Sequence, residues 1–360
     1  MRPKCLLAAG LAAAMAASLP ASPAGADDEH SSVVRYDSFQ KRGGYTLADY
    51  SQRWSNPYGL GEVTQNDTRN FDGGTFNVDA TPFTVGSDYS VFDHLKYIAI
   101  SNRSFDVPDR GSVTFSSEIK AATPGTADDL TQHGVYGPSG SWTDPGLAPP
   151  PLAPYEAKVL EGQQAGAVMN VVDFCTGQLF DWFVSGNRAF ALTERLPTNV
   201  TGNTSNPNCP DAGYVGRDEM YTQIVKELPA APGVAHKVSI TYRHVGDNGI
   251  VQYRLDGRPV ATVQNVGVPL DKQGVDYTGI YPSLGPGERL GDEIKSFSIG
   301  HGLFSLLDAF PFQHPEAPEL SVSIPVGSSN PADTGRARLF GQGAKASFDE
   351  FEVKTADADR

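Results

Sequence analysis

From His236 to Val266 the chain reads as three successive β-strands. Val238, Ile240 and Tyr242 alternate with Ser239, Thr241 and Arg243, the two-residue period of a strand with one buried face. Gly246-Asp247-Asn248-Gly249 tolerates positive φ, so the chain can reverse there into Ile250, Val251, Tyr253 and Leu255. Asp256-Gly257 is a strong two-residue hairpin signal, and Arg258 to Val263 is the returning strand. The same short alternation predicts strands over 33–39, 71–78, 95–100 and 112–121. A meander follows in 164–174, 178–184 and 188–196, turned at Cys175-Thr176-Gly177 and Ser185-Gly186-Asn187. Further strands are predicted over 220–228, 293–299 and 347–353.

Between these runs the pattern fails. Residues 123–154 contain HGVYGPSGSWTDPGLAPPPLAP, too rich in Pro and Gly for the interior of any element, so they read as a long exposed loop. Residues 269–290 form a second irregular insertion, and 199–218 a third. Few long windows carry helical apolar spacing, and no repeat period appears. With 38 Gly and 27 Pro as dense but aperiodic punctuation, the chain is expected to be all-β: an antiparallel β-sandwich with long irregular loops.

The first 26 residues read as an export signal: Arg2 and Lys4, then LLAAGLAAAMAASL, then the small-residue site Ala24-Gly25-Ala26. Residues 27–360 are then one secreted domain, and no later apolar run is long enough to cross a bilayer as a helix. The net charge is −14, and removal of Arg2 and Lys4 makes it −16. Such a surface argues against nucleic acid or anionic membrane as partners, because both require basic patches. Cys175 and Cys209 remain in an oxidising compartment and are expected to form a disulfide that ties the 199–218 loop to the hairpin turn.

Candidate chemistry is sparse. Hydrolysis of a glycan on a sheet needs two carboxyl groups about 5 to 9 Å apart. Asp173, Asp181 and Glu194 are the strand acids to consider as catalytic; Asp173 and Asp181 lie in partner strands, and Phe180, Trp182 and Phe183 give Asp181 an apolar setting. An acid on the polar face of a strand is ordinarily just solvated. Sugar faces stack on aromatic rings, and Tyr136, Trp142, Trp182, Tyr277 and Tyr281 lie in loops or beside polar residues. The same rings would equally pack their own loops. His94, His133, His301 and His314 lack metal-site spacing, and Ser139 lacks the context of a nucleophile elbow.

The segment YRLDGRPVATV resembles a hairpin of concanavalin A-like lectins, glucanases and laminin-G-type domains. That resemblance implies a jelly roll whose first and last strands pair. It also implies a calcium ion near them, with Asp37 of YDSF and Asp349 of SFDEF matching the terminal pieces. The segments MNVVDFCTGQLFDWFVSGNRAF and IYPSLGPGERL are similar to an uncharacterised group of exported actinobacterial proteins, a likeness that supplies no activity. Carbohydrate is therefore the expected partner. A glycan-binding protein leads, a glycoside hydrolase or polysaccharide lyase on the same fold is the alternative, and a structural exoprotein without a small ligand is the third reading. Oligomeric state is not legible.

Overall fold

The computed structural model describes residues 31–55, 67–84, 95–126, 130–135, 154–159, 161–196, 221–277, 280–281, 286–306 and 339–357. The predicted signal and Cys209 lie outside them. Strands are numbered in chain order. The first sheet runs β16 (Arg258–Val263), β15 (Asn248–Leu255), β14 (Ala235–Val245), β7 (Gly111–Ala122), β19 (Ala344–Asp357), β4 (Thr75–Ala80) and β3 (Thr68–Asp72). β1 (Ser31–Asp37) pairs with the second half of β19, so the first and last strands meet. The second sheet runs β17 (Ile280–Tyr281), β13 (Tyr221–Pro229), β12 (Arg188–Arg195), β11 (Gln178–Val184), β10 (Gly166–Val172), β18 (Ser296–Phe304), β5 (Leu95–Ser101) and β2 (Trp54–Ser55), with β6 (Phe105–Asp106) also on β18. β8 (Leu130–Val135) and β9 (Pro154–Val159) form a separate hairpin. Every strand pairing among the described residues is antiparallel. The protein is a jelly-roll sandwich.

The predicted triple strand at 236–266 and the meander at 164–196 form as read. Other boundaries differ for local reasons. The run 71–78 is two strands, because Gly73 and Gly74 both have positive φ (60° and 84°) and close a two-residue hairpin between Asp72 and Thr75. The segment 123–154 is not all loop, since it contributes β8 and the first residue of β9. Two short helices also escaped the pattern. α1 (Leu47–Ser51) starts on a capping box in which Thr46 and Asp49 satisfy each other's backbone amides, and α2 (Glu161–Gln164) precedes β10. β18 runs on through Gly300 and Gly302, which the strand pattern treated as its end.

The core lies between the sheets. Val238, Ile240 and Tyr242 of β14 face Phe180, Trp182 and their neighbours on β11, all buried. Each large side chain removed from water contributes on the order of 2 kcal/mol. At one end of the sandwich Asp37 organises the packing. Its Oδ2 accepts from the Trp54 indole (2.8 Å) and the Tyr45 hydroxyl (2.5 Å), and its Oδ1 accepts from the Phe39 amide (3.0 Å). That last bond holds Phe39 in the left-handed region, at φ 49°, with its ring stacked against Tyr50 and Trp54. His301 sits within van der Waals range of the same cluster, its ring 4.7 Å from Trp54 and 4.8 Å from Phe348 by centroid. Its Nε2 meets the Tyr50 hydroxyl at 2.8 Å, while its buried Nδ1 has no hydrogen-bond partner. Burial, with a smaller contribution from Arg69, lowers its pKa to about 3.

Two outcomes follow for stability. Asp37→Ala orphans three donors and is expected to cost about 3 kcal/mol in urea denaturation, equally in calcium and in EDTA; a loss that appears only in calcium would contradict this account. The His301 contribution has a definite sign. With a folded pKa of about 3 against 6.5 unfolded, the unfolded chain binds the extra proton, so stability falls as the pH drops from 6.5 to 3. The slope attributable to this residue is about 1.4 kcal/mol per pH unit. His301→Phe should flatten that acid limb, and a variant whose stability still falls as steeply would refute the assignment.

Candidate functional site

On the second sheet, strand period decides which side chains leave the core. β11 reads QLFDWFV, with Phe180, Trp182 and Val184 in the core cluster and Leu179, Asp181 and Phe183 on the opposite face. In register, Asn170 pairs with Asp181, Leu179 with Glu194, and Glu194 with Thr222. Asn170, Asp181, Glu194 and Thr222 therefore form a polar row across β10, β11, β12 and β13. Their neighbours on this face are apolar: Val168, Phe183, Phe190, Leu192 and Ile224. The row ends in register with Tyr281 on β17.

The row is bonded internally. Asn170 Nδ2 donates to Asp181 Oδ1 at 2.6 Å, Thr222 Oγ1 donates to Glu194 Oε2 at 2.9 Å, and the two carboxyl groups hydrogen-bond each other. All four residues are at most 4 % exposed. Burial, and then the Glu194 charge, push the Asp181 pKa well up, and burial raises Glu194 as well. Asp181 Oδ2 is buried and meets no donor. Asn170 Oδ1 is left as a buried acceptor without a partner. Val172 and Ser298, the pair two residues along from Asn170 and Gly300, line a cavity of about 250 Å³ together with Ser101, Asn102, Arg103 and Asp173.

The sequence candidates are distributed unequally around this row. Asp181 and Glu194 are brought together. Asp173 is not with them: it braces the hairpin turn, accepting from the amides of Cys175 (3.0 Å) and Thr176 (3.1 Å) and from the Thr176 hydroxyl (2.6 Å). Its expected partnership with Asp181 fails because Asn170, three residues earlier, occupies the position opposite. Trp182 is also not a sugar platform, for it points between the sheets, fully buried, and its indole donates to Ser239 O at 3.1 Å. Tyr277 is half-buried against the core. Tyr136, Trp142 and Cys209 lie outside the described residues. Asp37 and Asp349 do not share a ligand set: Asp37 spends both oxygens on internal donors, whereas Asp349 sits in register with Glu118 on the outer face of the first sheet. Burial and neighbouring carboxylates raise the Asp349 pKa to about 6. Among the described residues no group of three His, Cys, Asp or Glu is arranged to hold a metal ion. Asn170 and Thr222 were missed, although an isolated Asn inside GAVMNVV is a signal in itself.

Residues 146–357 match the model of DUF6081, a family of unknown function. No curated protein matches the chain. Among solved structures, an endo-1,3-β-glucanase from Streptomyces sioyaensis aligns with 12 % identity over 95 % of this chain and 100 % of its own, at a TM-score of 0.40. A legume lectin-like domain from Entamoeba histolytica aligns with 7 % identity over 91 % of this chain and 100 % of its own, at 0.37. A family 7 alginate lyase aligns with 11 % identity over 93 % and 96 %, at 0.36.

The carboxyl pair should be visible in stability against pH. A carboxyl with a raised folded pKa stabilises the fold in acid and loses that contribution as the pH rises above its unfolded value of 3.8. Asp181→Asn keeps a donor to Glu194 without the titration. It should gain about 1 to 3 kcal/mol over the parent at pH 7 and little at pH 4, read from guanidinium melts. A variant destabilised by the same amount at both values would dismiss the raised Asp181 pKa.

Proposed function

The chain belongs to DUF6081, a family without an assigned function, and we propose from the site itself that it is an exported carbohydrate-binding protein whose ligand lies on the second sheet. One observation carries this reading: a polar row crosses four strands of an otherwise apolar sheet face with a buried acceptor, Asn170 Oδ1, that has no partner, and Val172, two residues along from Asn170, lines a cavity of about 250 Å³. Burying such groups costs stability unless something donates to them, and hydroxyl-rich sugars present donors and an apolar ring face together. Binding fits the row better than glycoside hydrolysis does. Asp181 and Glu194 are in hydrogen-bond contact, closer than the spacing of about 5 Å or more that retaining and inverting mechanisms need for the substrate and water between them.

Neutral polysaccharides immobilised on an array provide the test. Asn170→Ala should weaken binding at least about tenfold, as expected when a buried hydrogen bond to ligand is lost. Asp181→Asn, which mimics the protonated acid, should retain binding, with no reducing or unsaturated ends released by either protein. Product release that Asp181→Asn abolishes would replace this reading with the enzymatic one, and absence of binding to every polysaccharide would remove it.

A further inference from the structure

The first sheet carries a second polar groove on the side of the molecule opposite the row just described. Its outward positions fall into two transverse lines. Asn70, Asn77, Ser347 and Lys120 are in register across β3, β4, β19 and β7, and Thr68, Asp79 and Lys345 lie in the adjoining line. Together they border an open groove of about 300 Å³, floored by the small residues Ala122 and Gly233. The first line is fixed in place: Asn77 Nδ2 donates to Asn70 Oδ1 at 3.1 Å, and Ser347 Oγ donates to Asn77 Oδ1 at 2.5 Å. Lys345 is neutralised by Asp79 at 2.6 Å. Lys120 has no carboxylate partner among the described residues, and Glu118, on the same face two residues earlier, lies in register with Lys237 instead.

Donors thus remain unspent at opposite ends of the line, the Lys120 ammonium and the side-chain amide N–H groups of Asn70, whose Oδ1 alone is used. Three strand spacings separate them, roughly 14 Å. We propose that this groove is a second binding site, for a short oligosaccharide carrying a single carboxylate, with the acid group on Lys120 and ring hydroxyls on Asn70 and Asp79. A groove of this volume is ample for such a ligand. The rigid Asn77–Ser347 bonds supply preorganisation, so little side-chain entropy is lost when it is occupied. The limit to one charge follows from the chain's net charge of −14, which repels a polyanion at a distance while leaving one local ion pair favourable.

The probe is xylotriose bearing one glucuronate, compared with plain xylotriose, titrated into the full chain and followed by NMR and calorimetry. The acidic oligomer should bind more tightly, and Lys120→Gln should erase that preference, a loss of about fivefold for a partly exposed ion pair. Lys120→Arg should preserve it. Lys120 is exposed, so neither variant perturbs the core. The preference should persist in Asn170→Ala, which damages only the other face and so separates the two sites. Equal affinity for both oligomers, or an acidic preference unchanged in Lys120→Gln, would overturn the proposal.

Discussion

The register among β10, β11 and β12 is the constraint on which the rest of this molecule rests. Side chains alternate with a period of two, so a slip of one residue in β11 would send Asp181 between the sheets and Trp182 out of them. Neither could be accommodated. The indole would lose its bond to Ser239 O and much of its packing against Tyr253, and the acid would face Phe180's present neighbours without Asn170 or Glu194. The hydrophobic face fixes the register, and the register in turn assembles the polar row. Core and site are the two sides of one sheet.

That coupling explains how the protein carries two kinds of costly burial. At one end burial lowers the His301 pKa to about 3, and on the far face of the second sheet burial raises the pKa of both Asp181 and Glu194. Their linkages have opposite sign, the histidine weakening the fold in acid and the carboxyl pair weakening it toward neutrality. The histidine has a packing reason, since it fills a space bounded by Trp54, Phe76, Phe348 and Phe351 and meets the Tyr50 hydroxyl. The acids have none of comparable weight. Apolar residues of similar size would pack there without penalty, as Leu192 and Phe183 do beside them.

Much of this was legible in the chain. The Asp256-Gly257 hairpin and the 164–196 meander carry alternation strong enough to fix both strands and turns, and Asp181 stood out as an acid in an apolar strand, with Asp173 and Glu194 as the other strand acids to consider. What failed did so for physical reasons. Gly73-Gly74 was absorbed into a strand although a pair of glycines is the usual way to reach two positive φ values in succession. Gly300 and Gly302 looked like an end, whereas they are strand residues whose absent side chains admit Ile100 and Phe304. Asp173 was paired with Asp181 by distance from the turn, but turn geometry uses its carboxylate locally, a role for Asx residues that sequence spacing does not separate from catalysis.

The contrast between the acids sharpens the functional argument. Asp173 is as buried as Asp181, yet its oxygens accept from two amides and a hydroxyl, so its burial is compensated by the turn it stabilises. Asp181 accepts from one amide, itself carrying an unmet acceptor, and its second oxygen meets no donor. Asp173 has three donors; Asp181 has one. Asn170 Oδ1 and Asp181 Oδ2 leave this face short of donors, the shortage that the proposed hydroxyl-rich ligand would meet.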